Sequence, residues 1–90
     1  MRVADLDDEA REAIHAPASL KGAVIVEIDP DSDAYRAGLR QGFVIEEIDR
    51  KPVKSAADAM RIGEGVKKDK PVLMRAWGGG QSRYFTLGGK

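Results

Sequence analysis

The sequence has no cysteine, one histidine and few aromatic residues: one tryptophan, two tyrosines and two phenylalanines among ninety. Without cysteine there are no disulfides, no thiolate metal sites and no cysteine nucleophile. The histidine, His15, falls at the frayed end of a short helical pattern. Ser19, Ser32, Ser55 and Ser82 fall in turns or helix caps, and no G-x-S-x-G elbow exists, so no nucleophile has a base within reach and no catalytic residues are expected. No apolar run approaches the roughly 20 residues needed to span a bilayer, and no signal-like apolar core follows Met1, so direct membrane insertion is not expected. Fifteen basic residues balance fifteen acidic ones, which removes the field that would draw the chain to nucleic acid. Charge is nonetheless uneven. Asp5 to Glu12 is acidic, whereas Lys67, Lys68, Lys70, Arg75, Arg83 and Lys90 make the last quarter basic. With so few aromatics, this reads as a solvated surface.

What is present suits one small domain with one modest core. "MRVADL" alternates, with Met1, Val3 and Leu6 as its apolar set, and reads as a short strand. Asp7 can cap an acidic-fronted helix with Ala10, Ala13 and Ile14 on one face, and Pro17 ends it. "GAVIVEI" is a near-continuous β-branched run typical of a central strand. Asp31 or Ser32 can cap a short helix through "DAYRA", with Gly38 as a left-handed stop that returns Leu39 to the core. "FVIEEI" is a strand that turns both Ile45 and Ile48 inward only if a bulge interrupts its alternation. Asp49-Arg50 makes a turn, Ser55 caps the helix "AADAMRIGEGV" ending near Gly65, and "PVLMRAW" and "SRYFTL" form a hairpin across Gly78-Gly79-Gly80. Two helices and five to six short antiparallel strands imply an α+β sandwich or partly open barrel, not a βαβ nucleotide fold.

Three motifs invite chemical readings. Asp29, Asp31 and Asp33 alternate like the first ligands of a calcium loop, but Ala34 stands where that loop needs glycine and Arg40 where it needs glutamate, so no metal is expected. Glu46 and Glu47 are adjacent on a strand and are expected on opposite faces, which excludes a paired acid and base. The glycine run precedes a strand, not a helix, so it cannot cradle phosphate, and no cofactor is expected. The helix after Ser55 carries two apolar rows, Ala56, Met60 and Gly63 beside Ala59, Ile62 and Val66. Either both rows are buried, or one lines a groove in which small Ala56 and Gly63 leave space and Met60 is an adaptable wall.

The run "GAVIVEIDPDSDAYRAGLRQGFVIEEIDRKPVKSAADAM" resembles the PDZ domains of bacterial HtrA/Deg (DegP-like) serine proteases. The pattern "S-x-A-x-x-A-G-L-x-x-G" is matched by Ser32, Ala34, Ala37, Gly38, Leu39 and Gly42. The resemblance covers nearly all of residues 1–90, which are expected to be a single PDZ domain. It implies a non-catalytic module that takes extended peptides, or C-terminal segments of unfolded proteins, as an added strand. The receiving strand would be Met1 to Leu6 and the facing helix Ser55 to Gly65. Implied peptide-binding residues are Met1, Arg2, Val3, Ala4, Ala56, Met60 and Gly63. Ala56 stands where some PDZ domains carry a histidine that selects serine or threonine, so an apolar ligand is implied. The family's carboxylate-binding loop is expected upstream of Met1. Phe43 stands where aspartate is common, and Gly63 where a bulkier residue is usual. The helix after the groove strand is similar to the second, C-terminal PDZ domain of Deg proteases. The implied parent is a trypsin-like protease of periplasmic or cell-envelope quality control. Alternative roles are assembly with other domains or subunits of the parent, or service in a different processing or membrane-associated protease.

Overall fold

A computed structural model describes residues 1–65 and 70–87. Val66, Lys67, Lys68 and Lys90, named above, lie outside the described residues. The elements follow in the order β1 (Arg2–Asp5), α1 (Asp8–Ala13), β2 (Ala23–Glu27), α2 (Asp33–Ala37), β3 (Val44–Ile48), β4 (Lys51–Pro52), α3 (Ala56–Glu64), β5 (Val72–Gly78) and β6 (Gln81–Leu87). Six strands form one antiparallel sheet in the order β1-β2-β3-β5-β6, with the two-residue β4 paired to β3. The sheet is open, with β1 and β6 at its ends. Among the described residues three helices pack on it where two were counted from sequence, because "DAYRA" forms the complete five-residue helix α2. No helix of the described residues is long and apolar enough to cross a membrane.

Local chemistry explains the boundaries. Asp7 Oδ1 accepts the Ala10 amide at 2.8 Å and starts α1. Ser32 starts α2 by accepting from the Tyr35 amide, and Gly38 ends it at φ 115°, which returns fully buried Leu39 to the core. The alternating aspartates serve this turn. Asp29 Oδ1 accepts the Asp31 amide at 2.8 Å, and the Asp29 carbonyl accepts the Ser32 hydroxyl at 2.7 Å. At the β3–β4 turn, Asp49 and Arg50 adopt left-handed φ values of 53° and 67°. Gly79 and Gly80, at 61° and 90°, close the β5–β6 hairpin as the primed two-residue turn that matches strand twist.

Two apolar layers cover the two faces of the sheet. On one face, Ala23, Ile25, Ile45, Ile48, Met74 and Ala76 pack with Ala34 and Leu39 near α2 and with Ala59 of α3. On the other, Leu20, Val24, Val44 and Trp77 are roofed by α1 through Ala10 and Ile14. Ala13 is exposed, so of the three expected apolar positions only Ala10 and the C-cap Ile14 are partly buried against the sheet. Leu6 also differs from expectation. It packs with Ala4 on the α1 side, not with Val3, because side chains two positions apart share a face in extended chain.

Pairing passes from Ile45↔Ala76 directly to Glu47↔Arg75, so Glu46 is an extra residue in β3. Beyond the bulge Ile48 faces the same layer as Ile45, and both are essentially buried. The bulge also corrects the expectation that Glu46 and Glu47 diverge. Both carboxylates approach Arg75, at 3.7 Å and 3.2 Å, and Glu46 accepts the Ser82 hydroxyl at 2.6 Å.

Gly22 opens β2 at φ 153°, where a Cβ would lie 2.1 Å from the backbone oxygen of Ile45. Backbone in the sheet centre cannot yield to it. Gly22→Ala is therefore expected to lower unfolding free energy by about 3 kcal/mol, whereas Gly79→Asn, in open space at the hairpin tip, should change it by less than about 1 kcal/mol. Urea denaturation of the two variants checks this contrast.

Candidate functional site

The free edge of β1 and the exposed row of α3 flank a small apolar cleft of about 160 Å³. Met1 and Val3 form one wall and Met60 and Gly63 the other, over a floor of Ile45, Ile48, Ala59 and Met74. A cavity of about 150 Å³ holds a benzene, so this volume suits one branched aliphatic or aromatic side chain. Every residue lining it is apolar or glycine, so a charged side chain entering it would lose its hydration without gaining a partner. Met1 and Met60 are half-exposed or more, so two unbranched, adaptable side chains stand at the rim. Nothing stands within 4 Å of a Cβ built on Gly63, which leaves that wall open.

Four of the seven residues expected at a binding surface therefore converge: Met1, Val3, Met60 and Gly63. The side chains of Arg2, Ala4 and Ala56 do not line the cleft. Arg2 is exposed and lies 3.9 Å from the equally exposed Glu27, an ion pair of little energetic weight. Ala4 packs against the opposite layer. Ala56 sits in the first turn of α3, where its amide donates to Asp5 Oδ1 at 2.8 Å. That bond joins the C-terminal end of β1 to the N-terminal end of α3, and so ties the two walls together across 51 positions of sequence. Asp5 was not singled out from sequence, because nothing local marks its partner. The floor residues carried a weak signal: apolar Ile45 and Ile48 stand three apart in a strand, a spacing that requires the bulge.

The N-terminus of α3 is saturated with acceptors. Ser55 Oγ accepts the Asp58 amide at 3.1 Å, and Asp58 Oδ2 accepts the Lys54 amide, one residue before the N-cap, at 3.0 Å. Asp58 Oδ1 also accepts from the Arg61 guanidinium at 2.6 Å. The Lys54 amide first, and Arg61 second, hold the Asp58 carboxyl below its ordinary value of 3.8. Among the described residues no group of three His, Asp or Glu side chains is placed to hold a metal ion.

No family model matches the chain. Among curated proteins, it is 38% identical over 69 residues to a protein of Brucella suis biovar 1 (strain 1330) named probable periplasmic serine endoprotease DegP-like; the match covers 74% of this chain and 14% of that protein. A protein of the same name from Pseudomonas fulva (strain 12-X) is 30% identical over 85 residues, 94% of this chain and 17% of the relative. The chain thus spans about one-sixth or less of these relatives' length. Among solved structures, the HtrA-type protease AlgW with a decapeptide superposes with a TM-score of 0.85 over 97% of this chain and 26% of that one, at 23% identity. The HtrA3 PDZ domain bound to the phage-derived ligand FGRWV superposes at 0.73 over 98% of this chain and 79% of that domain, at 19% identity.

Two stability outcomes follow. Gly63→Ala should raise unfolding free energy by roughly 0.5–1 kcal/mol, since the added methyl meets open space and removes backbone freedom from the unfolded chain; chemical denaturation measures it. A carboxyl depressed in the fold contributes stability that is present above its unfolded value and lost as pH falls through the folded one. Asp58→Asn should therefore show a shallower loss of Tm than the wild type as pH is lowered from neutrality to below 3.8.

Proposed function

This chain is a PDZ domain related to the DegP-like, HtrA-type serine endoproteases, and from that premise we propose that it is a non-catalytic peptide-binding module. The observation that carries the reading is an apolar cleft placed directly beside a strand edge that no described strand occupies. An extended peptide lying along β1 pairs with the outward backbone groups of Arg2 and Val3, and drops one apolar side chain between Met60 and Val3. The unpaired edge supplies affinity that is indifferent to sequence, and the cleft supplies selection for an apolar residue. Peptides accompany both structural relatives named above, a decapeptide with AlgW and FGRWV with HtrA3, which supports the same use of this fold here.

In this reading residues 1–90 act as one domain within a longer periplasmic serine endoprotease. The domain recruits exposed apolar segments of unfolded proteins or relays their presence to the protease. An exposed apolar terminus is a feature that folded proteins conceal and damaged ones display, which makes it a suitable signal for quality control.

Titration of the labelled domain with peptides ending in an apolar residue tests this. Chemical-shift changes are expected at Arg2 to Asp5 and along α3, with a Kd near micromolar, about −8 kcal/mol. Met60→Lys should weaken binding about tenfold or more, since it sets a hydrated ammonium at the cleft rim. Shifts confined to other surfaces, or equal binding of peptides ending in apolar and acidic residues, would defeat the reading.

A further inference from the structure

Of the three large apolar side chains that stand exposed among the described residues, Met1 and Met60 belong to the cleft, and the third, Tyr84, lies elsewhere. It occupies the middle of β6, the seven-residue strand at the far edge of the sheet. Natural edges are usually blunted by proline, lysine, a bulge or shortness. β6 has none of these, although α2 packs against it, with Gly38 beside the Phe85 ring. It pairs with β5 in unbroken register from Gln81 to Leu87, contains neither proline nor lysine, and is among the longest strands of the sheet. Among the described residues no strand pairs its outer side.

The tight hairpin determines which groups that outer side presents. A two-residue turn makes Gly78 and Gln81 a hydrogen-bonded pair, and alternation then directs Arg83, Phe85 and Leu87 toward β5. The backbone groups of Ser82, Tyr84 and Thr86 point outward. An antiparallel partner centred on Tyr84 would overlap all seven residues and bond to each of these three. We propose that β6 is a self-association edge, and that its occupant is β6 of a second copy of this chain, related by a two-fold axis through Tyr84.

Complementarity selects a second copy as the occupant. With Tyr84 opposite itself, Ser82 faces Thr86, Gln81 faces Leu87, and the strand's one charge, Arg83, faces Phe85 of the other copy. The Tyr84–Tyr84 and Ser82–Thr86 pairs are favourable cross-strand pairs. Within one chain the Arg83 guanidinium already lies 5.8 Å from the Phe85 ring, so it is placed to share a second aromatic face. A register centred on Arg83 would set two guanidinium groups against each other and would shorten the overlap. The chain's net charge of zero adds no long-range repulsion between copies. This edge lies at the opposite end of the sheet from β1, so self-association leaves the peptide cleft free.

Hydrogen exchange and sedimentation of the 90-residue chain, from micromolar to millimolar concentration, test the proposal. Apparent mass should rise toward twice that of the monomer. The amides of Ser82, Tyr84 and Thr86 should gain at least about tenfold protection with concentration, while those of Arg83 and Phe85, already bonded to β5, change little. Tyr84→Pro removes an outward amide without touching the β5 ladder, and Tyr84→Lys opposes two ammonium groups at the axis. Either variant should be monomeric, and the Lys variant keeps the test valid if the Pro variant does not fold. Its response to peptide at β1 should be unchanged, which separates this proposal from the peptide-binding one. A chain that stays monomeric throughout, association that survives Tyr84→Lys, or protection of β6 gained from added peptide and not from concentration would each overturn it.

Discussion

One extra residue in β3 governs the arrangement of everything around it. Glu46 has no register partner in the β5 ladder, and without that bulge Ile48 would face the opposite side of the sheet from Ile45. With it, both isoleucines join one buried layer, support α3, and form the floor of the apolar cleft. The same offset brings Glu46 and Glu47 together on the other face, where they share Arg75. β3 pairs with β2, β4 and β5, so a local irregularity there is transmitted to most of the sheet. The bulge is how one short strand serves a core and a cleft on one side and an ionic cluster on the other.

The cleft depends on two further constraints that differ in kind. Its floor is set by packing, which is rigid because the isoleucines are enclosed. Its width is set by a polar strap, the Asp5 carboxylate receiving the Ala56 amide, together with the Ser55 and Asp58 caps that keep the first turn of α3 intact. The rim is adaptable: Met1 and Met60 are unbranched and exposed, and Gly63 is bare. A rigid floor with a soft rim suits a site that selects an apolar residue without discriminating finely among shapes.

Much of the fold was legible in the sequence where the governing chemistry is local. Asp7, Ser32 and Ser55 each cap the helix that they precede, and Gly38 and the Gly79-Gly80 turn stand where left-handed backbone is required. The resemblance of "SDAYRAGLRQG" to the PDZ pattern located the strand and helix that flank the cleft. Features made by distant partners were not legible. Asp5 reads as one more acidic residue before α1 until the fold carries it to Ala56. Glu46 and Glu47 read as divergent because alternation assumes an unbroken ladder. Met74 reads as an ordinary strand residue until β5 pairs with β3 beneath α3.

The central claim is that an extended peptide lies along β1 with one apolar side chain seated on the floor that the bulge creates. The most direct measurement is a set of intermolecular nuclear Overhauser contacts between a bound apolar-ended peptide and the side-chain methyls of Ile45, Ile48 and Met74. Contacts from the peptide's apolar side chain to those methyls, with backbone contacts to Val3, are the predicted result. Contacts instead to Trp77 and Ile14, on the α1 side of the sheet, would contradict the account.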